Sequence, residues 1–200
     1  MSAYPDIITS GITATLPLQH ATAQAILKTE FENGKESRRL IWDSVRRSVK
    51  INYSTMYFEY ANELRRFYEN MRGPYHSFTF FFPQIEQYVN ELVGTLTSSA
   101  TTINLPSKNA QSYELRVNGS PLVEGIGEDW IFTAEGGPDG EDLATFDELL
   151  TFSGDVFFFD FTGQLKIKAR FSEKPIVFSD VKKYWSSTTV ELIGLEPSPI

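Results

Sequence analysis

The sequence contains no cysteine. Disulfide staples, thiolate metal sites, iron–sulfur clusters and a cysteine nucleophile are therefore excluded, while the redox compartment stays open. Histidine is nearly as scarce. His20 and His76 are the only two, and neither stands at metal-ligand or triad spacing from other candidate groups. A catalytic constellation needs a base, a nucleophile and an orienting group together. A Ser-His-Asp triad can assemble in space from distant positions, yet no Gly-x-Ser-x-Gly elbow occurs. Gly125-Ile126-Gly127 lacks the third glycine of a phosphate loop. No apolar run approaches the ~20 residues that span a bilayer. The N-terminal Met1-Ser2-Ala3-Tyr4-Pro5-Asp6 lacks a basic segment followed by an apolar one, so no signal peptide is expected and the chain is expected to be soluble and made in the cytoplasm. Positive charge is also in short supply: the formal net charge is −8. That argues against binding nucleic acid by phosphate neutralisation, and it suits a surface past which DNA slides without sticking.

What the chain has in quantity is aromatic residues. Sixteen Phe and nine Tyr in 200 residues favour strands over helices and supply a sizeable core. Residues 1–24, with Pro5, Gly11 and Pro17, read as an extended arm or short edge strand. Residues 25–200 read as one β-rich domain with a soft boundary near 98–106. Ala25–Phe31 has strand character, and Asn33-Gly34 offers the positive-φ pair of a tight hairpin. From Val45 the period is two: Val45, Arg47, Val49, Ile51 and Tyr53 on one face, Arg46, Ser48, Lys50 and Asn52 on the other. The period then changes. Tyr57, Ala61, Leu64, Tyr68 and Met71 recur at helical spacing and predict an amphipathic helix over about 55–72. Ser54 or Thr55 can cap its start, and Gly73-Pro74 ends it.

Beyond Pro74 strands are expected at His76–Phe82, around Tyr113–Val117 with a turn at Asn118-Gly119, at Trp130–Thr133, at Leu165–Phe171 and near Val190–Gly194. Residues 84–96 fit either a short helix or a strand. Glu135–Asp147 reads as an acidic, glycine-rich loop. The whole predicts a mainly β protein, a sandwich or barrel with one central helix.

Three uses suit the acidic cluster at Glu124, Glu128, Asp129, Glu135, Asp139, Glu141, Asp142, Asp147 and Glu148. Two carboxylates could serve a glycosidase. Asp139-Gly140-Glu141-Asp142 could bind calcium, though its spacing departs from the Asp-x-Asp-x-Asp-Gly loop. A solvated or lumen-facing loop is the preferred reading, with Glu135, Asp139, Glu141 and Asp142 as the candidate lumen residues. Arg38, Arg39, Arg46 and Arg47, taken on one strand, split between two faces. They are therefore expected to pair with acidic surface, as candidate subunit contacts, rather than to bind phosphate. The runs Phe78–Phe82 and Phe157–Phe161 carry apolar side chains at adjacent positions, so both faces need cover. A second subunit would supply part of it.

Gly34-Lys35-Glu36-Ser37-Arg38, Trp42, Arg46, Tyr53, a helix, Arg72-Gly73, Phe78-x-Phe80 and Pro83 together resemble the distal tail protein family of long-tailed siphophages and gene transfer agents. The pattern is more distantly similar to the minor tail proteins of lambda-like phages. Ala169-Arg170-Phe171 is similar to the family's Val-Arg-Phe. The resemblance covers about residues 25–180 and is closest up to Pro83. It implies a tail-tube type of β-fold and a non-enzymatic virion protein without cofactor or metal. Such a protein forms a ring, commonly six-fold, at the tail tip. The ring joins the tail tube to hub or fibre proteins and passes DNA through its lumen. An alternative reading is a carbohydrate-binding β-sandwich on a tail or cell surface, with Trp130, Tyr184 and Trp185 exposed and stacking on sugar rings.

Overall fold

The computed structural model describes Tyr4 and residues 19–23, 26–30, 36–40, 46–95, 100–150 and 154–195. In chain order the elements are β1 (Gln19–Ala23), β2 (Ile26–Glu30), β3 (Glu36–Leu40), β4 (Arg46–Tyr57), α1 (Phe58–Asn70), β5 (Phe78–Phe81) and β6 (Glu86–Thr95). There follow β7 (Ala100–Asn104), β8 (Ser107–Val117), β9 (Ser120–Pro121), β10 (Trp130–Thr133), β11 (Leu143–Leu150), β12 (Val156–Phe171), β13 (Phe178–Lys182) and β14 (Trp185–Gly194). The protein is mainly β, antiparallel and sandwich-like, with one helix among the described residues. Its described residues divide into two compact units: unit 1 holds Tyr4 and those of 78–168, and unit 2 those of 19–77 and 169–195. The division falls at 77/78 and 168/169.

In unit 1, β12 is the spine. It pairs antiparallel with β6 on one side (Phe158 opposite Leu92) and with β8 on the other (Phe158 opposite Arg116). Its alternation is that of a strand with one covered face: Phe157, Phe159, Phe161 and Leu165 are buried while Phe158, Asp160 and Lys166 are half-buried. β5 also pairs with β12. Asn118 and Gly119, at φ 49° and 85°, make the two-residue turn from β8 to β9, as the Asn-Gly pair predicts. A three-stranded sheet, β10-β11-β7, completes the unit. Trp130, Phe159 and Tyr113 meet there, with Trp130 edge-on to Phe159 at 6.4 Å between ring centres. Cover for Phe78 and Phe80 comes from within the chain, Tyr4 lying 5.7 Å and 5.5 Å from their rings. Both are 1% exposed or less, so these two rings are covered within the unit, while Phe81 on the other face is half-buried.

In unit 2 the strand order is β1-β4-β14, with β13 on β14 and the Ala169–Phe171 end of β12 against Leu192–Gly194. β2 and β3 form a separate ribbon. Val49, Ile51 and Tyr53 are buried and Ser48 and Lys50 exposed, the alternation expected of a half-buried strand. Helix α1 packs on β4 and β14, burying Ala61 and Leu64 and setting Tyr68 edge-on to Phe171 at 5.0 Å.

The helix starts at Phe58 and not near 55. Strand β4 continues to Tyr57, which faces Trp185 across the sheet, so pairing with β14 on either side, at Tyr53 and at Met56–Tyr57, keeps Ser54 and Thr55 in the strand and removes them as caps. The first helical N–H, that of Phe58, donates instead to Tyr184 O at 3.1 Å. The C-terminus matches expectation: Gly73 has φ +60° and its N–H donates to Tyr68 O at 2.9 Å. Residues 86–95 are strand, with Asn90 at φ 58° marking a break in register. Leu143–Leu150 is strand too, so the acidic loop is shorter than expected.

Candidate functional site

The acidic turn that leads into β11 is built inward. Asp142 is wholly buried. Its Oδ1 accepts from the N–H of Asn109 at 2.9 Å and of Glu135 at 3.0 Å. Its Oδ2 accepts from Ser107 Oγ at 2.6 Å and the Ala110 N–H at 2.9 Å. Both oxygens therefore face donors, the arrangement that stabilises a buried carboxylate and the reverse of what a cation requires. Glu141 is also 0% exposed. Its Oε1 lies 2.6 Å from Lys166 Nζ, and its Oε2 accepts from the Asp139 N–H at 2.9 Å. Gly137 makes room for it: a Cβ there would lie 2.5 Å from the Glu141 side chain.

Two of the four candidate lumen residues, Glu141 and Asp142, are thus interior braces, because donors on β8 and β12 satisfy them inside the unit. Glu135 is exposed and accepts from Asn109 Nδ2 at 2.7 Å. Asp139 is half-buried and accepts from Thr79 Oγ1 at 2.8 Å. Glu124 accepts from the Tyr113 hydroxyl at 3.0 Å. Burial and the adjacent carboxylate push that phenol up to about 12. Asp160 ties the bulge of β6 to β8, accepting from the Asn90 N–H at 2.7 Å and pairing with Arg116. Among the described residues no group of three or more His, Asp or Glu is placed to hold a metal ion.

Arg38 and Arg39 lie on β3, opposite Lys28 and Leu27 of β2. Arg46 and Arg47 lie on β4, opposite Ala23 and Thr22 of β1. The four therefore occupy two different strands in two different sheets, not one strand. The side chains of Arg38, Arg39 and Arg46 lie outside the described residues, and Arg47 is half-buried. His76 is exposed beside Tyr75, and the His20 side chain lies outside the described residues. Of the three expected stacking residues, Trp130 is only 1% exposed, which removes it as a sugar platform. Trp185 is half-buried under Tyr57, ring centres 4.1 Å apart, and Tyr184 is exposed.

Unit 2 contains a cleft that no sequence signal announced. It has a volume of about 460 Å³ and lies between β4, β14 and the segment 172–177. Tyr53, Phe171 and Thr188 form its buried base. At its wall Thr189 Oγ1 donates to Asn52 Oδ1 at 3.0 Å, and Lys174 Nζ pairs with Glu191 Oε2 at 2.9 Å. The polar side chains come from three strands, β4, β13 and β14, and from the connection 172–177, a pattern that reads in sequence as ordinary exposed sheet.

No protein-family model matches this chain, and no curated protein matches it.

Proposed function

We propose that this chain is a structural subunit of a phage tail tip, a distal-tail ring protein that joins the tail tube to hub or fibre proteins and lines a channel for DNA. The resemblance over Gly34–Pro83 and the antiparallel β architecture are compatible with it. The observation that carries it is the distribution of charge in unit 1. Between Phe78 and Lys168 the only basic residues are Lys108, Arg116, Lys166 and Lys168. The first three are engaged by carboxylates: Lys108 by Glu135 at 3.8 Å, Arg116 by Asp160 and Glu114, and Lys166 by Glu141. Exposed Glu86, Glu124, Glu128 and Asp129 leave that unit's surface acidic. Such a surface repels the phosphate backbone and suits transient passage of DNA without retention. The buried carboxylates are spent on bracing the turn, which counts against a carboxylate hydrolase.

The location implied is the virion tail tip, after synthesis in the host cytoplasm. The test is the solution mass of the purified protein by light scattering, with negative-stain images of the same sample, alone and mixed with tail tubes. Rings with a central hole, free or seated on tube ends, are the expected result. A monomer that neither closes into rings nor binds tube ends overturns the reading.

A further inference from the structure

We propose that the cleft in unit 2 is a binding site for an uncharged saccharide. The inference is independent of the tail-tip reading and rests on what lines the cleft. Its volume of about 460 Å³ falls in the range of small-ligand sites, roughly 300–1,000 Å³.

Charge narrows the ligand class. Lys174 is the one cation of the lining and Glu191 the one carboxylate, and they neutralise each other at 2.9 Å. The pair carries no net charge, so the lining offers neither an uncompensated cation to a phosphate or carboxylate ligand nor an uncompensated carboxylate to a metal ion. A purely apolar ligand fits no better. It would shield the Ser179 hydroxyl and the Asn52 amide nitrogen from water and offer them no partner, while the Ser187 and Thr189 hydroxyls keep theirs in Ser179 O and Asn52 Oδ1.

What suits the lining is a ligand with many hydroxyls and one C–H face. Hydroxyls both donate and accept, as Ser, Thr and Asn side chains do. Thr189 donates to Asn52 Oδ1 at 3.0 Å, which fixes the amide and leaves Nδ2 as a donor at the cleft wall. Glu191 accepts from Lys174 through Oε2 and retains Oε1 for ligand hydroxyls. Pro175, Ile176 and Val177 give the opposite character on the same lining, and Val177 is 66% exposed. That strip would take the C–H face of a sugar ring.

The test is saturation-transfer NMR of the full chain with glucose, galactose, mannose, N-acetylglucosamine and their common disaccharides at millimolar concentration, followed by titration of the strongest binder. Inorganic phosphate is titrated in parallel. The expected result is transfer to at least one sugar, no binding of phosphate, and a Kd raised about tenfold or more in Asn52→Ala and in Glu191→Gln, the effect of losing one hydrogen bond to a polar or charged partner. Lys174→Ala and Ser187→Ala, at the rim, keep the test open if either of the first two fails to fold. Tyr113→Phe in unit 1 is expected to bind as the parent does. Absence of transfer to every sugar overturns the proposal. So does transfer that survives all the cleft substitutions, or phosphate binding at this site in place of sugar.

Discussion

Asp142 is the residue whose removal should cost the fold most for the fewest atoms. Its carboxylate is wholly buried and accepts four hydrogen bonds, from Ser107 Oγ and from the N–H groups of Asn109, Ala110 and Glu135. Its own backbone is also held: the Asp142 N–H donates to Ser107 O and the Leu105 N–H donates to Asp142 O. Asp142→Ala strands all four donors. Asn109 and Glu135 are exposed residues, so water can reach their N–H groups in part. Ser107 and Ala110 are buried and gain no such relief. At about 1–3 kcal/mol for each stranded buried group, the loss is about 3–5 kcal/mol.

Asp142→Asn separates charge from shape. An amide oxygen in place of Oδ1 still accepts from Asn109 and Glu135. The amide nitrogen can donate to Ser107 Oγ, whose hydroxyl rotates, but it then opposes the Ala110 N–H. One clash and one lost charge predict about 2 kcal/mol. Urea unfolding followed by tryptophan fluorescence measures both, since Trp130 is buried in the same unit. The order Asp142→Ala below Asp142→Asn below the parent, at an unchanged denaturant slope, is the expected outcome. An Asp142→Ala protein within about 1 kcal/mol of the parent would refute the idea that this carboxylate braces the turn.

Tyr113, with its phenol raised to about 12, should remain protonated as pH passes 10 in ultraviolet difference spectra, while Glu124→Gln brings its titration down. Because the folded pKa is the higher one, the stability that this proton contributes is complete below pH 10 and is lost as pH rises toward 12. Gly194→Ala places a Cβ 2.7 Å from the Arg47 carbonyl oxygen. Strand β4 cannot yield without parting from β14, so a loss of about 1–3 kcal/mol is expected as a lower Tm, and an unchanged Tm would show that the two backbones can separate freely. Reversing Arg46 and Arg47 together to Glu should impair ring or tail assembly while circular dichroism of the monomer stays as in the parent. Normal assembly of that double variant would remove these arginines from the subunit contact.

Much of the local order was legible because it is set by near neighbours. The alternation through Val49, Ile51 and Tyr53, the helix body at Ala61 and Leu64, the stop at Gly73 and the turn at Asn118-Gly119 all depend on short-range chemistry. The failures share a different cause. Ser54 and Thr55 are good caps, but Thr188 and Ser186 lie opposite Tyr53 and Met56 and hold that stretch in a strand. Residues 86–95, which fit either helix or strand in sequence, are strand because β12 runs beside them, some seventy positions on. Leu143–Leu150 continues an acidic loop in sequence, but β10 and β7 pair with it on its two sides and make it a strand. Trp130 is a candidate surface platform in the sequence, yet Tyr113 and Phe159 close over it. The unit 2 cleft was invisible for the same reason, since Asn52, Lys174 and Glu191 come from three separate stretches of chain.

The carboxylates show why composition alone misleads about surface. Net charge counts Glu141 and Asp142 with the rest, but Lys166 cancels the charge of Glu141, and that of Asp142 lies wholly beneath the surface. Exposed charges also act only over about one Debye length, roughly 8–10 Å at physiological salt. The field that passing DNA would meet must come from groups that are outside and not already matched. Glu135 is exposed but lies 3.8 Å from Lys108, so it contributes only in part. Glu124, Glu128 and Asp129 are exposed on the segment between β9 and β10. If unit 1 lines a channel, that segment, rather than the turn at Asp139–Asp142, is the part of it that repels phosphate.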